Sequence, residues 1–206
     1  MSKESNDGLH VPEQVSGSQM DAVQYKVLHS AQEADIWYAR SCQKLLNVNE
    51  WYSYAELPMS AFKLFDSSGR AAARSAVAGD LIRIDIPGPG TSAGEGYDWV
   101  VVESISEDKG RDLALMSLTV RPCGHPFHKE EGVANFLTDQ ATATFQVKRS
   151  GNTVYAEHHG RNEVPNNGTS KTLDNIRNTI VGWSAKIGLS YPQWKNLVTG
   201  LLNNAG

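Results

Sequence analysis

The sequence predicts an α+β fold in which an antiparallel sheet of about six or seven strands is covered on one face by helices. Three observations lead there. Ala141–Arg149 and Val154–Arg161 flank Ser150-Gly151-Asn152-Thr153, and Gly-Asn supplies the positive φ angle that a two-residue II′ hairpin turn needs. Segments of period-two hydrophobicity recur from Ala61 to Arg161 with short links, whereas parallel pairs need crossovers of about a dozen residues or more. Capping signals at Ser30, and at Ser170 or Thr172, then open stretches of helical period.

Taken in order, Val23, Tyr25 and Val27 alternate with Gln24 and Lys26 as a short half-buried strand. Ser30-Ala31-Gln32-Glu33 is a capping box, and the helix it starts carries Ala34, Trp37, Ser41 and Leu45 on one stripe. Asn47–Tyr54 is a short helical turn presenting Trp51 and Tyr54, and Pro58 marks the end of that helical region. Phe62 and Leu64 begin the strands. Ile82, Ile84 and Ile86 alternate with Arg83 and Asp85, Trp99–Ile105 is nearly continuous in apolar residues, and Ala114, Met116, Leu118 and Val120 alternate beyond a turn at Gly110.

The hairpin turn fixes a register. Phe145 faces His158, Val147 faces Ala156 and Ala143 faces Gly160 on one side, leaving Gln146/Glu157, Thr144/His159 and Thr142/Arg161 on the other. A slip of one residue would mix apolar and charged positions on both sides. Beyond the hairpin, Leu173, Ile176, Ile180, Trp183 and Ile187 trace a helical stripe that Gly188 ends. A second capping box at Ser190 opens a last helix with Trp194, Leu197, Val198, Leu201 and Leu202 on its face.

The 206 residues carry a formal net charge of −4 with acidic and basic residues interspersed, so no basic stripe points to nucleic acid. The polar first twenty residues cannot bury enough surface to offset chain entropy. The expected organisation is therefore a disordered tail over 1–20 and a single domain over 21–206. No run approaches a transmembrane length, and Cys42 and Cys123 form no disulfide framework, so a cytoplasmic, reducing setting is expected.

The order strand, helix pair, antiparallel strands and C-terminal helix resembles the helix-grip fold of the START and polyketide-cyclase superfamily. There a curved antiparallel sheet wraps a long C-terminal helix. The resemblance runs from Asp21 to Leu189. It is carried by the strand at Val23–Val27, NVNEWYSYAEL, GDLIRIDI, YDWVVVESI, ATATFQVKRSGNTVYAEHHG and the helix from Thr172. The chain departs from the pattern where Ala71–Ala78 is weak as a strand and where the helix from Ser190 is added. The resemblance implies an apolar cavity between sheet and helix; many members bind lipids, polyketides or other hydrophobic ligands, and a minority catalyse cyclisation or related steps.

Within such a cavity His158, inward beside Phe145, is the first candidate for a ligand hydrogen bond or for general acid/base work; the alternative is a core histidine satisfied by a carbonyl or water. Trp99, Met116, Phe145, Arg161 and Arg177 join it as the expected ligand-binding set, Arg161 facing an anionic head group. Glu103 becomes a catalytic partner only if its face of the Trp99–Ile105 strand is the inner one, and that strand is apolar on both sides. Cys123, His125 and His128 depart from zinc-ligand spacing, and the glycine-rich Ile86–Gly96 lacks the lysine and helix of a phosphate loop. It reads as a hairpin loop or a lid.

No metal or cofactor is expected. The leading functional expectation is binding of a hydrophobic or amphipathic small molecule. A cyclase or hydratase using His158, and an interaction module built on the last helix, are the alternatives. Homodimer formation is left open.

Overall fold

The structure is a computed structural model that describes residues 10–55, 61–85, 92–128, 132–166 and 192–203. Seven strands form one antiparallel sheet: β1 (Ser18–Val27), β2 (Ala61–Phe65), β3 (Leu81–Asp85), β4 (Asp98–Lys109), β5 (Leu113–Pro122), β6 (Thr142–Ser150) and β7 (Thr153–Glu163). Their spatial order is β1-β7-β6-β5-β4-β3-β2, so the first strand crosses over to pair with the last. This is the α+β topology that the helix-grip resemblance implies.

Helix α1 (Ala31–Leu46) begins where Ser30 accepts from the Glu33 backbone N–H, and it buries Ala34, Trp37, Ser41 and Leu45 as the stripe requires. A 3-10 turn at Val48–Glu50 leads into α2 (Trp51–Tyr54), whose Trp51 indole donates to the Leu45 carbonyl at 3.0 Å. The last described helix, α3 (residues 192–201), buries Leu197, Val198 and Leu201, and Leu202 just after it is buried too. Ser41 Oγ donates to the Leu201 carbonyl, which ties α3 to α1. The apolar stripe of the last helix is therefore spent on the protein's own core, against its use as an interaction module. The helix expected from Thr172, with Arg177, lies outside the described residues, as does most of the glycine-rich loop. Among the described residues, no helix is long and apolar enough to cross a membrane.

The inner face of the sheet carries Phe62, Leu64, Ile82, Ile84, Val100, Val102, Met116, Leu118, Phe145, Val147 and Ala156, which pack with α1, α2 and α3 into one core. The hairpin register is as the turn demands. Phe145 pairs with His158 and Thr144 with His159, and Gly151 holds φ at +58° between them.

Strand β1 has the opposite parity to the expected one. Ala22 pairs with His158 on the inner face, so Val23, Tyr25 and Val27 point outward, 47%, 66% and 62% exposed. Lys26 takes the inner side by laying its ammonium 3.7 Å over the Trp37 ring, a position where a long aliphatic stem covers apolar surface. Residues 13–16, within the span expected to be disordered, make defined contacts: Asn162 accepts from the Val15 and Ser16 N–H groups and donates to the Glu13 carbonyl.

Candidate functional site

At the end of the sheet where β5 and β7 finish and β6 begins, a cavity opens against the N-terminal end of α3. Its walls are apolar: Trp51 from α2, Ile82 and Ile84 from β3, Val100 and Val120 from the centre, Phe145 from β6 and Trp194 from α3. Its free volume is about 70 Å³, room for a few water-sized molecules.

His158 stands on this lining. The residue is 1% exposed, and among the described residues neither ring nitrogen has a hydrogen-bond partner. The Trp194 indole stacks on it, with centroids 5.1 Å apart and planes 14° apart, and Phe145 lies 4.9 Å away. Burial first, and the neighbouring His159 charge second, push the His158 pKa down to about 3, so the ring is neutral. A neutral imidazole has one donor and one acceptor, and leaving either unmade inside a protein costs about 1–3 kcal/mol.

Glu163 is the one acidic side chain on the described lining. Alternation alone would turn it outward with Arg161. A β-bulge intervenes: Ser18 pairs with Glu163 but Met20 with Gly160, and Asn162 adopts φ +54° at the extra residue. Gly160 leaves the space that the carboxylate needs, since a Cβ there would collide with Glu163 Oε1. Ser18 Oγ donates to Glu163 Oε2 at 3.1 Å, yet burial prevails and raises the Glu163 pKa. The sequence signal for this bulge was Asn162, two residues after Gly160, since asparagine tolerates the left-handed region.

Of the other expected site residues, Phe145 joins His158 on the lining. Met116 is on the inner face beside Val147, away from the cavity lining. Trp99 pairs with Arg83 on the outer face and packs with Ala93 and Ala134 in a separate cluster. Glu103 is the bulged residue of β4 and is bound by Arg121 at 3.0 Å, so it does not meet His158. Arg161 donates to Asp21 Oδ1 at 2.7 Å on the outer face and does not greet a head group. His125 and His128 stack at 4.9 Å on one loop, and among the described residues no group of three potential ligands gathers for a metal. Trp51 and Trp194, which the sequence places on a helical turn and a helix face without a site role, form the cavity's aromatic wall.

A second recess of about 410 Å³ lies between α1 and α3 and is lined by Arg40, Lys44, Tyr54 and Asn203. Although larger, it is the weaker candidate. Lys44 donates to the Gly200 and Asn203 carbonyls, the ordinary complement of a helix C-terminus, and no buried group there lacks a partner.

No family model matches the chain, and no curated protein matches it in sequence. Solved structures similar to it include truncated norcoclaurine synthase from Thalictrum flavum, at 12% identity and TM-score 0.38, covering 95% of this chain and 100% of that one. A START superfamily protein from Mycobacterium smegmatis is similar at 8% identity and TM-score 0.35, with 90% and 99% covered. Ginseng major latex-like protein 151 from Panax ginseng is similar at 10% identity and TM-score 0.32, with 85% and 99% covered. At these values the likenesses decide nothing about function. The architecture rests on the strand order and the site on its own geometry.

Proposed function

We propose that this chain binds a hydrophobic or amphipathic small molecule in the cavity between the sheet and α3. The observation that carries the reading is His158, buried on an apolar lining with both ring nitrogens unpartnered among the described residues. Mostly apolar walls with few polar groups are the usual composition of a ligand site. A bound polar group relieves the cost of the orphaned ring, and the walls supply the rest of the affinity.

The cavity's volume sets a constraint. About 70 Å³ is half of the roughly 150 Å³ that accommodates benzene in an engineered protein cavity, so a larger ligand requires the Trp194 indole to swing off His158. Native mass spectrometry of protein purified from its own host should show a co-purifying apolar molecule. A crystal structure in which side chains close the cavity completely overturns the reading.

The cyclase or hydratase alternative gains no support. A histidine with pKa about 3 is a feeble base at neutral pH, and Glu103 is bound to Arg121. A cytosolic setting is proposed from Cys42 and Cys123, both free thiols. Alkylation of both after denaturing the lysate without reductant is the expected result, since burial holds both thiols protonated in the fold, and a mixed disulfide at either would count against it.

A further inference from the structure

The cavity also discriminates by charge, an inference that rests on the ligand-binding reading above. Its described lining includes no lysine and no arginine. The arginines at that end of the sheet are engaged elsewhere. Arg161 donates to Asp21 and to the Gly160 carbonyl, while Arg121 donates to both oxygens of Glu103 and to the Asp139 carbonyl. Among the described residues, the ionisable groups that face the space are His158 and the Glu163 carboxyl, to which Ser18 donates. An anion entering here loses its hydration, meets no cation among the described residues and approaches an acid, which is the costly way to bury charge.

A hydroxyl group fits the same surroundings. It can donate to the bare nitrogen of a neutral imidazole or accept from the protonated one, whereas a carboxylate can only accept. Thr142 Oγ1, also on a lining residue, is a further buried hydroxyl with no partner. The geometry points to a neutral, hydroxyl-bearing apolar molecule as the ligand, with the matching carboxylate excluded.

Phenol, benzoate and benzene form a matched probe set; each exceeds the cavity's free volume of about 70 Å³, so each enters only as the Trp194 indole moves off His158. Each is titrated at pH 7 while the His158 and Trp194 ring resonances are followed by NMR. Benzene should bind, and phenol should bind about tenfold or more tighter than benzoate, a difference of about 1.4 kcal/mol. His158→Leu should bring phenol down to the affinity of benzene, and Glu163→Gln should narrow the gap by improving benzoate. Benzoate binding as tightly as phenol, with benzene still bound, overturns the charge inference and leaves the cavity reading standing. Failure of benzene and phenol alike to shift those resonances overturns both. The wild-type comparison decides the matter even if a variant fails to fold.

Discussion

His158 and His159 are neighbours in sequence and opposites in every physical respect, because the sheet puts them on different faces. His158 enters an apolar cavity with no partner, and burial pushes its pKa down to about 3. His159 is half a pleat away on the outer face. Its Nδ1 lies 2.6 Å from Asp21 Oδ1 and its Nε2 3.0 Å from Glu157 Oε2. Burial alone would lower the His159 pKa, but the two carboxylates outweigh it and raise it. Glu157 in turn holds Lys148 at 2.9 Å, so the outer face carries a fully paired charge chain that staples β1, β6 and β7. The difference teaches that partners, more than burial, decide what a buried histidine is for. A satisfied one is structure, and an orphaned one in a cavity is a site.

The largest effect should come from breaking the paired side. Glu157→Ala leaves Lys148 and a positively charged His159 buried beside each other without their shared carboxylate. Removing one partner of a buried ion pair costs about 3–5 kcal/mol. Chemical denaturation at pH 6 should read a loss of that size, with cavity ligands still bound by the surviving folded fraction. A loss under about 1 kcal/mol would mean that the chain of charges is solvated and holds little together.

The two histidines should also oppose each other with pH. His158 has a folded pKa below its unfolded value of 6.5, so its contribution is fully present above pH 6.5 and is lost as pH falls toward about 3. The slope reaches about 1.4 kcal/mol per pH unit within that window. His159 has a raised folded pKa, so its contribution is present below pH 6.5 and is lost as pH rises through the folded value. Asp21 and Glu157, both lowered, add to the acid-side loss, while Glu163, raised, opposes it. Subtracting the stability–pH curve of His158→Leu from that of the wild type isolates the first effect. A flat difference between pH 6.5 and pH 4 would show that the folded ring takes up its proton as readily as the unfolded one, through solvent or an acidic partner.

Much of this contrast was legible in the chain. The Gly151-Asn152 turn and the alternation on either side of it suffice to put His158 and His159 on opposite faces, because both determinants are local. What was not legible depends on distant partners or on extra residues. Val23, Tyr25 and Val27 read as the buried side of β1, but parity is set by pairing with β7, about 130 residues away. The bulge at Asn162 resets the alternation of β7 and brings Glu163 into the site, whereas Glu103 follows the outer parity of Trp99, a face that the apolar β4 sequence does not assign. Trp99 sits in a strand apolar on both faces, where periodicity has no preference to express.

A smaller effect is expected from Gly151→Ala. The substitution meets no neighbouring atom, but φ is +58°, where a Cβ costs about 1–2 kcal/mol. The turn is at the end of the sheet away from the cavity, so the penalty should appear in the denaturation midpoint alone. Both histidine titrations, followed by NMR, should keep their opposite shifts. An exchange of the two signatures would mean that the register had slipped by one residue and that this turn alone had held it.

The smallest change in stability, and the most telling, belongs to His158→Leu at neutral pH. Leucine removes two unsatisfied polar atoms, a gain of about 1–3 kcal/mol, and gives up the stack on Trp194 and the contact with Phe145, a loss of about 0.5–1.5 kcal/mol. The two terms oppose, so the melting midpoint should stay near the wild-type value or rise slightly. The same substitution at His159 removes a partner from both Asp21 and Glu157 and should lower it. A purely structural His158 would behave like His159, with a clear loss of stability and unchanged affinity for phenol. Unchanged stability with weakened phenol binding is the outcome that separates the two neighbours, since only a residue whose partner is the ligand can be lost from the fold at no cost and still be missed by the site.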